Sequence, residues 1–118
     1  MTITRLDPEE RLTGAVIYNG LVHLAGQVAD DASLDAEGQM ADILAQVDTL
    51  LAKAGTDKSR LLSVQIFLAD MTDMASMNRA WDKWLDRNNK PARATVEAKL
   101  ANAAWRVELT GIAALPSA

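Results

Sequence analysis

The sequence has no cysteine and a single histidine, His23. The first absence excludes a disulfide framework and any thiolate metal site. The second leaves a Ser–His–Asp triad or a zinc centre with almost nothing to stand on, so no metal is expected and His23 reads as an ordinary strand residue. A basic excess is missing too. The formal net charge of −4 argues against a protein that neutralises a phosphate backbone, and no nucleic-acid partner is expected. No apolar run approaches a membrane span, and Met1-Thr2-Ile3-Thr4-Arg5 lacks the apolar core of a secretory signal. A cytoplasmic protein without membrane contact is the expectation. No glycine loop has the spacing that cradles phosphate.

What is present is the composition of an ordinary globular chain. Of 118 residues, 49% are apolar and 24% charged, enough for one core and one domain spanning 1–118. The first dozen residues read as a polar lead-in, with a turn at Asp7-Pro8-Glu9-Glu10. Gly14–Tyr18 and Leu21–Ala25 form two short apolar runs around Asn19-Gly20, the pair that a type I′ hairpin turn demands. Gly26-Gln27 follows. A glycine there either lets a ligand approach the backbone closely or marks a bulge at the strand end.

From Leu34 or Ala36 to Ala54, apolar residues recur at spacings of three and four, as on an amphipathic helix, and Gly55 ends it. Thr56–Ser59 makes a capped turn before the branched strand Leu62–Leu68. Asp70-Met71-Thr72-Asp73 caps a second helix whose stripe is Met74, Met77, Trp81 and Trp84. Arg79, Lys83 and Arg87 stand four apart on it, but Asp82 and Asp86 interleave, which marks a solvated face. Arg87–Pro91 breaks the helix. Trp105–Ala114 is the last strand and Leu115–Ala118 a tail.

Between them lies Lys90-Pro91-Ala92-Arg93-Ala94-Thr95-Val96-Glu97. Pro91 ends the preceding helix, and from Arg93 the pattern alternates. Ala94, Val96, Ala98 and Leu100 point one way, and Arg93, Thr95, Glu97 and Lys99 the other. Glu108 sits in the alternating run that follows, Arg106–Thr110, and is expected to meet Arg93 in one pocket. A guanidinium stays protonated at neutral pH. It can clamp a planar carboxylate with two parallel bonds or form a structural salt bridge with Glu97 or Glu108. Glu108 can orient a water or balance charge.

The expected architecture is α+β: a hairpin, a helix, a strand, a helix and two strands. Two helices cover one face of such a sheet. On the strand 62–68, Val64, Ile66 and Leu68 oppose Gln65, Phe67 and Ala69, so the second face is fairly apolar as well. Self-association is its simplest cover.

Pro91-Ala92-Arg93, with Val96-Glu97 three residues on and Val107-Glu108-Leu109 beyond, resembles the RidA/YjgF family of enamine/imine deaminases. Ala25-Gly26-Gln27 and the segment Phe67–Met71 leading to Met77-Asn78 extend the match in order along nearly the whole chain. The resemblance implies a chorismate-mutase-like mixed sheet with two helices on one face. It also implies a homotrimer with sheets facing inward and ligand clefts between subunits. It implies a cofactor-free hydrolase that converts 2-imino or 2-enamino acids to 2-keto acids and ammonia. Arg93 would grip the carboxylate and Glu108 would position water. Thr95, Ala25 and Gly26 would line the site, as would Leu12 and Arg11.

Three departures from the family pattern stand out. Thr95 replaces a frequent cysteine, so no thiol nucleophile is needed. Arg11-Leu12-Thr13-Gly14 replaces a Gly-Pro-Tyr segment, removing a pocket tyrosine and offering Arg11 either to a second carboxylate or to solvent. Lys99-Leu100-Ala101-Asn102 replaces an Ala-Arg-Leu-Pro turn. These bear on substrate preference more than on reaction type. Two competing readings are a non-catalytic trimer that binds small carboxylates and a ribonuclease or translation inhibitor.

Overall fold

A computed structural model describes residues 2–117, so Met1 of the lead-in and Ala118 of the expected tail lie outside it. The elements run β1 (Thr4–Pro8), β2 (Thr13–Tyr18), β3 (Leu21–Gln27), α1 (Ala36–Ala54), β4 (Leu61–Leu68), α2 (Met74–Trp84), β5 (Ala92–Glu97) and β6 (Val107–Ala114). One six-stranded sheet has the order β1-β2-β3-β6-β4-β5, and every pair is antiparallel except β4 with β5. The fold is therefore α+β with a mixed sheet and two helices, as expected.

Local chemistry accounts for the elements. Asn19 and Gly20 both take positive φ, 53° and 77°, in the hairpin turn between β2 and β3. Asp35 caps α1 by accepting from the Gly38 N–H, and Gly55 ends it in the left-handed region at φ 90°. Asp57 and Asp70 each cap a short 3₁₀ turn, before β4 and before α2. Met40, Ile43, Leu44, Val47 and Leu51 of α1 bury against Val64, Ile66 and Leu68 of β4 and Val107 and Leu109 of β6. Met77 and Trp81 of α2 join that core, with Met74 and Trp84 half-buried beside it.

Five expectations need correction. The polar lead-in is not a loop: Thr4–Pro8 pairs with β2 as an edge strand, which carries a proline because its outer side has no ladder to break. The turn comes later, closed by Glu9 N–H to Leu12 O at 2.7 Å. The Arg93 strand ends at Glu97 rather than continuing to Leu100, and the last strand starts at Val107 rather than Trp105. Leu115 is not a free tail residue, since its N–H donates to Gly20 O and its carbonyl accepts from Arg60.

The second face of the sheet has no cover among the described residues. Register places Gln65 beside Thr110 and Ala94, and Phe67 beside Glu108 and Val96, all on the side away from the helices. Tyr18 and Val96 on that side are 44% and 49% exposed.

Candidate functional site

Arg93 lies on β5, beside Val64 of the core, so its side chain faces α2. Its Nη1 donates to the Asn78 side-chain oxygen at 2.9 Å, and its guanidinium carbon sits 5.3 Å from the centre of the Trp81 ring. Asn78 and Trp81 are three apart on α2, so they share one side of that helix. Neither carboxylate named from the sequence pairs with this cation. Glu97 accepts from the Met71 N–H at 3.1 Å, and Glu108 is on the other face. Arg93 makes no salt bridge among the described residues, and its Nε and Nη2 donors have no partner there. Those two donors form the edge that takes a carboxylate side-on.

Thr95 is two residues further along, on the same side, beside Ile66. Its hydroxyl is buried and has no hydrogen-bond partner, the one such side-chain atom among the described residues. Buried hydroxyls are nearly always satisfied, because stranding one costs about 1–3 kcal/mol. The orphan hydroxyl and the unpaired guanidinium edge lie on the same side of β5.

Glu108 and Gly26 form a second cluster on the open face. Pairing between β3 and β6 is regular to Leu24 and resumes at Gln27, so Ala25 and Gly26 stand out of the ladder in a bulge. The Thr110 hydroxyl donates to Leu24 O at 2.7 Å, and Gln27 Nε2 donates to Ala25 O at 3.0 Å, fixing the bulge on both sides. A Cβ added at Gly26 would overlap the Glu108 carboxylate, with Glu108 Cδ only 3.0 Å away. The missing side chain at Gly26 thus leaves room for a carboxylate lying over its backbone. The bulge reading of Gly26 holds, and the close approach in this chain is made by its own Glu108 side chain. Glu108 is half-buried and has no ion pair or hydrogen-bond partner among the described residues.

The protomer does not bring Arg93 and Glu108 together. They lie on strands separated by β4 and on opposite faces of the sheet, which corrects the single-pocket expectation for one chain. The apolar side of β5, Ala94 and Val96, is the open one, and the polar side turns toward the helices. Arg11 and Leu12 occupy the β1–β2 turn, at the same end of the β2/β3 hairpin as Gly26. Leu12 is 52% exposed, and Arg11 forms an exposed ion pair with Glu10 at 3.6 Å.

Sequence reasoning used Asn78 only as part of a resemblance and Trp81 only as core. Each touches Arg93. Their spacing of three on α2 was legible, but their meeting with β5 depends on the parallel pairing of β4 with β5. The basic stripe on α2 resolves as a structural link: Arg79 and Lys83 both reach Glu37 of α1, at 2.7 and 3.4 Å. The hydrogen bond from Arg79 holds the Glu37 carboxyl below its ordinary range. His23 is exposed on the open face, beside Val16 and Ile112. It lines a groove of about 510 Å³ with Gln65, Ala94, Thr110 and Ile112 that extends to Arg93; Glu108 is not part of it. No helix is long and apolar enough to cross a membrane.

The chain as a whole is similar to known proteins. The family profile described as Endoribonuclease L-PSP matches residues 2–115. A RutC family protein of Haemophilus ducreyi is 49% identical over 113 residues, covering 96% of this chain and 97% of that one. The RutC family protein YoaB of Escherichia coli is 44% identical over 115 residues, covering 98% and 100%. Among solved structures, a YjgF family member from Neisseria meningitidis superposes with a TM-score of 0.96 at 43% identity, over 100% of this chain and 98% of that one.

Proposed function

Because the chain belongs to the YjgF/RidA (Endoribonuclease L-PSP, RutC) family, we propose that it hydrolyses reactive 2-imino and 2-enamino acids to 2-keto acids and ammonia, without a cofactor. The observation that carries this reading is the state of Arg93. Its guanidinium is held by a neutral carboxamide and an indole face, lacks a carboxylate partner, and lies next to an unsatisfied hydroxyl. A small planar carboxylate answers both needs.

The two clusters become one site when the open face of one subunit meets the β5 edge of the next. We take the assembly to be a homotrimer with sheets inward, which also covers Phe67, Val96 and Ile112. Arg93 and Thr95 of one subunit then bind the substrate carboxylate opposite Gly26 and Glu108 of its neighbour. Glu108 accepts a hydrogen bond from a water and aims its oxygen at C2. As the C–O bond forms, Glu108 takes a proton from the water, the C=N π pair moves to nitrogen, and that proton is passed on to the nitrogen. The hydroxyl proton of the tetrahedral adduct then moves to nitrogen by way of Glu108, and ammonia leaves as the C–N bond breaks and the C=O bond forms. Positioning and electrostatics supply the acceleration, with no covalent intermediate.

Nuclease chemistry, which the family description names, finds little support in a net charge of −4 and one exposed histidine. The deciding experiment couples an amino-acid oxidase to imine trapping and asks, over a substrate panel, whether added protein speeds imine loss. Acceleration that Arg93→Ala removes is expected. Binding of 2-keto acids with no acceleration for any imine would make the protein a carboxylate binder instead.

A further inference from the structure

Arginines that bind anions are usually steadied by acidic neighbours, which also consume part of the charge. Arg93 is steadied otherwise. Asn78 offers an acceptor oxygen at 2.9 Å without a charge, and Trp81 offers a ring face 5.3 Å away. The ring is itself fixed: Trp81 is 5% exposed, and its centre lies 5.6 Å from that of Trp84. Trp84 in turn donates Nε1–H to Asp48 of α1 at 3.0 Å. The orientation of the guanidinium therefore traces back through α2 to α1.

We infer that Asn78 and Trp81 are positioning residues that hold the Arg93 guanidinium in a fixed plane while leaving its whole positive charge to the ligand. The inference rests on the proposed reading of Arg93 as the carboxylate clamp. Asn78 occupies Nη1, so the Nε/Nη2 edge is the one presented. Trp81 covers one face of the cation, replacing water there with a surface that favours positive charge. Neither residue touches substrate. Both act through the arginine. The selectivity that follows is for a planar carboxylate seated on the Nε/Nη2 edge, with Asn78 taking one of the five guanidinium N–H donors.

The test measures pyruvate affinity by calorimetry, alongside the melting temperature and particle mass of each variant. Asn78→Ala removes the acceptor. Asn78→Asp keeps the shape but places a competing carboxylate at the guanidinium, and its affinity should fall on the order of tenfold or more, below that of Asn78→Ala. Trp81→Leu keeps an apolar side chain and loses the ring; affinity should fall about three- to thirtyfold, while Trp81→Tyr recovers most of it. KM for an imine should rise in the same order, with kcat changed less. If Trp81→Leu does not fold, the Asn78 pair on the half-buried side of α2 still decides the matter.

Wild-type affinity in Asn78→Asp would overturn the inference, as would losses that follow melting temperature rather than the charge at position 78. Absence of pyruvate binding by the unaltered protein would overturn the proposed function and this inference together. Binding by the unaltered protein with a level variant series would overturn this inference alone.

Discussion

Arg93 sits beside Val64 and Glu108 beside Phe67, so the one side chain points toward the helices and the other away from them, with strand β4 between. No rotamer change moves a side chain through a sheet. If both residues serve one substrate, they belong to different subunits, and assembly is a condition of catalysis.

The first prediction concerns that assembly. The unaltered protein should scatter light as a trimer at micromolar concentration. Ile112 projects from the middle of the open face, away from the helices. Ile112→Glu would bury a charge between subunits while leaving the protomer core intact. It should yield a folded monomer with no imine hydrolysis. An active monomer, altered or not, would remove the intersubunit site.

The second concerns Gly26, whose missing Cβ leaves room for the Glu108 carboxylate. In Gly26→Ala the methyl group displaces only the end of a flexible side chain, so stability should change by less than about 1 kcal/mol. The carboxylate is pushed off line, and a displacement near 1 Å can cost about a hundredfold in turnover. Full turnover in Gly26→Ala would mean that Glu108 need not lie where it does.

Thr95 supplies the third. Thr95→Val keeps the branched shape that suits a strand and deletes the unpaired hydroxyl. Removing a stranded buried group should leave the melting temperature level or higher, by up to about 1–3 kcal/mol of stability. Pyruvate affinity should meanwhile fall about tenfold, the worth of one hydrogen bond near a charge. A destabilised variant with unchanged affinity would show that the hydroxyl has a structural partner.

Much of the fold was legible because short-range chemistry settles it. Asn19-Gly20 admits one kind of hairpin, the three-four spacing of α1 with Gly55 behind it admits one kind of helix, and Pro91 separates α2 from β5. β1 was not legible, since Thr4-Arg5-Leu6-Asp7-Pro8 has the composition of a loop and becomes a strand only by pairing with β2. Arg93, Thr95 and Glu108 were legible as chemistry. Their arrangement was not: alternation tells which residues share a face of a strand, but not which face the helices will cover. Alternation divides β5 into an apolar and a polar side, and only the structure shows that the apolar side turns outward. Asn78 and Trp81 escaped notice as site residues for the same reason, because a contact between α2 and β5 is written in the tertiary pairing rather than in either segment.

The most direct measurement of the central claim mixes two inactive proteins. Arg93→Ala lacks the carboxylate clamp, and truncating one partner of a desolvated charge pair costs about 2–5 kcal/mol. Glu108→Gln keeps its size but loses the charge and two-oxygen acceptor that would orient water. Each alone should be nearly without imine hydrolysis, though Glu108→Gln should still bind pyruvate. Unfolded together and reassembled in equal amounts, they form mixed trimers in which roughly a quarter of the clefts pair an intact Arg93 with an intact Glu108. Activity should reappear at about that fraction of the unaltered protein's rate. If the mixed trimers form and remain inactive while the unaltered protein survives the same treatment, Arg93 and Glu108 do not meet across subunits, and the account of the site is wrong.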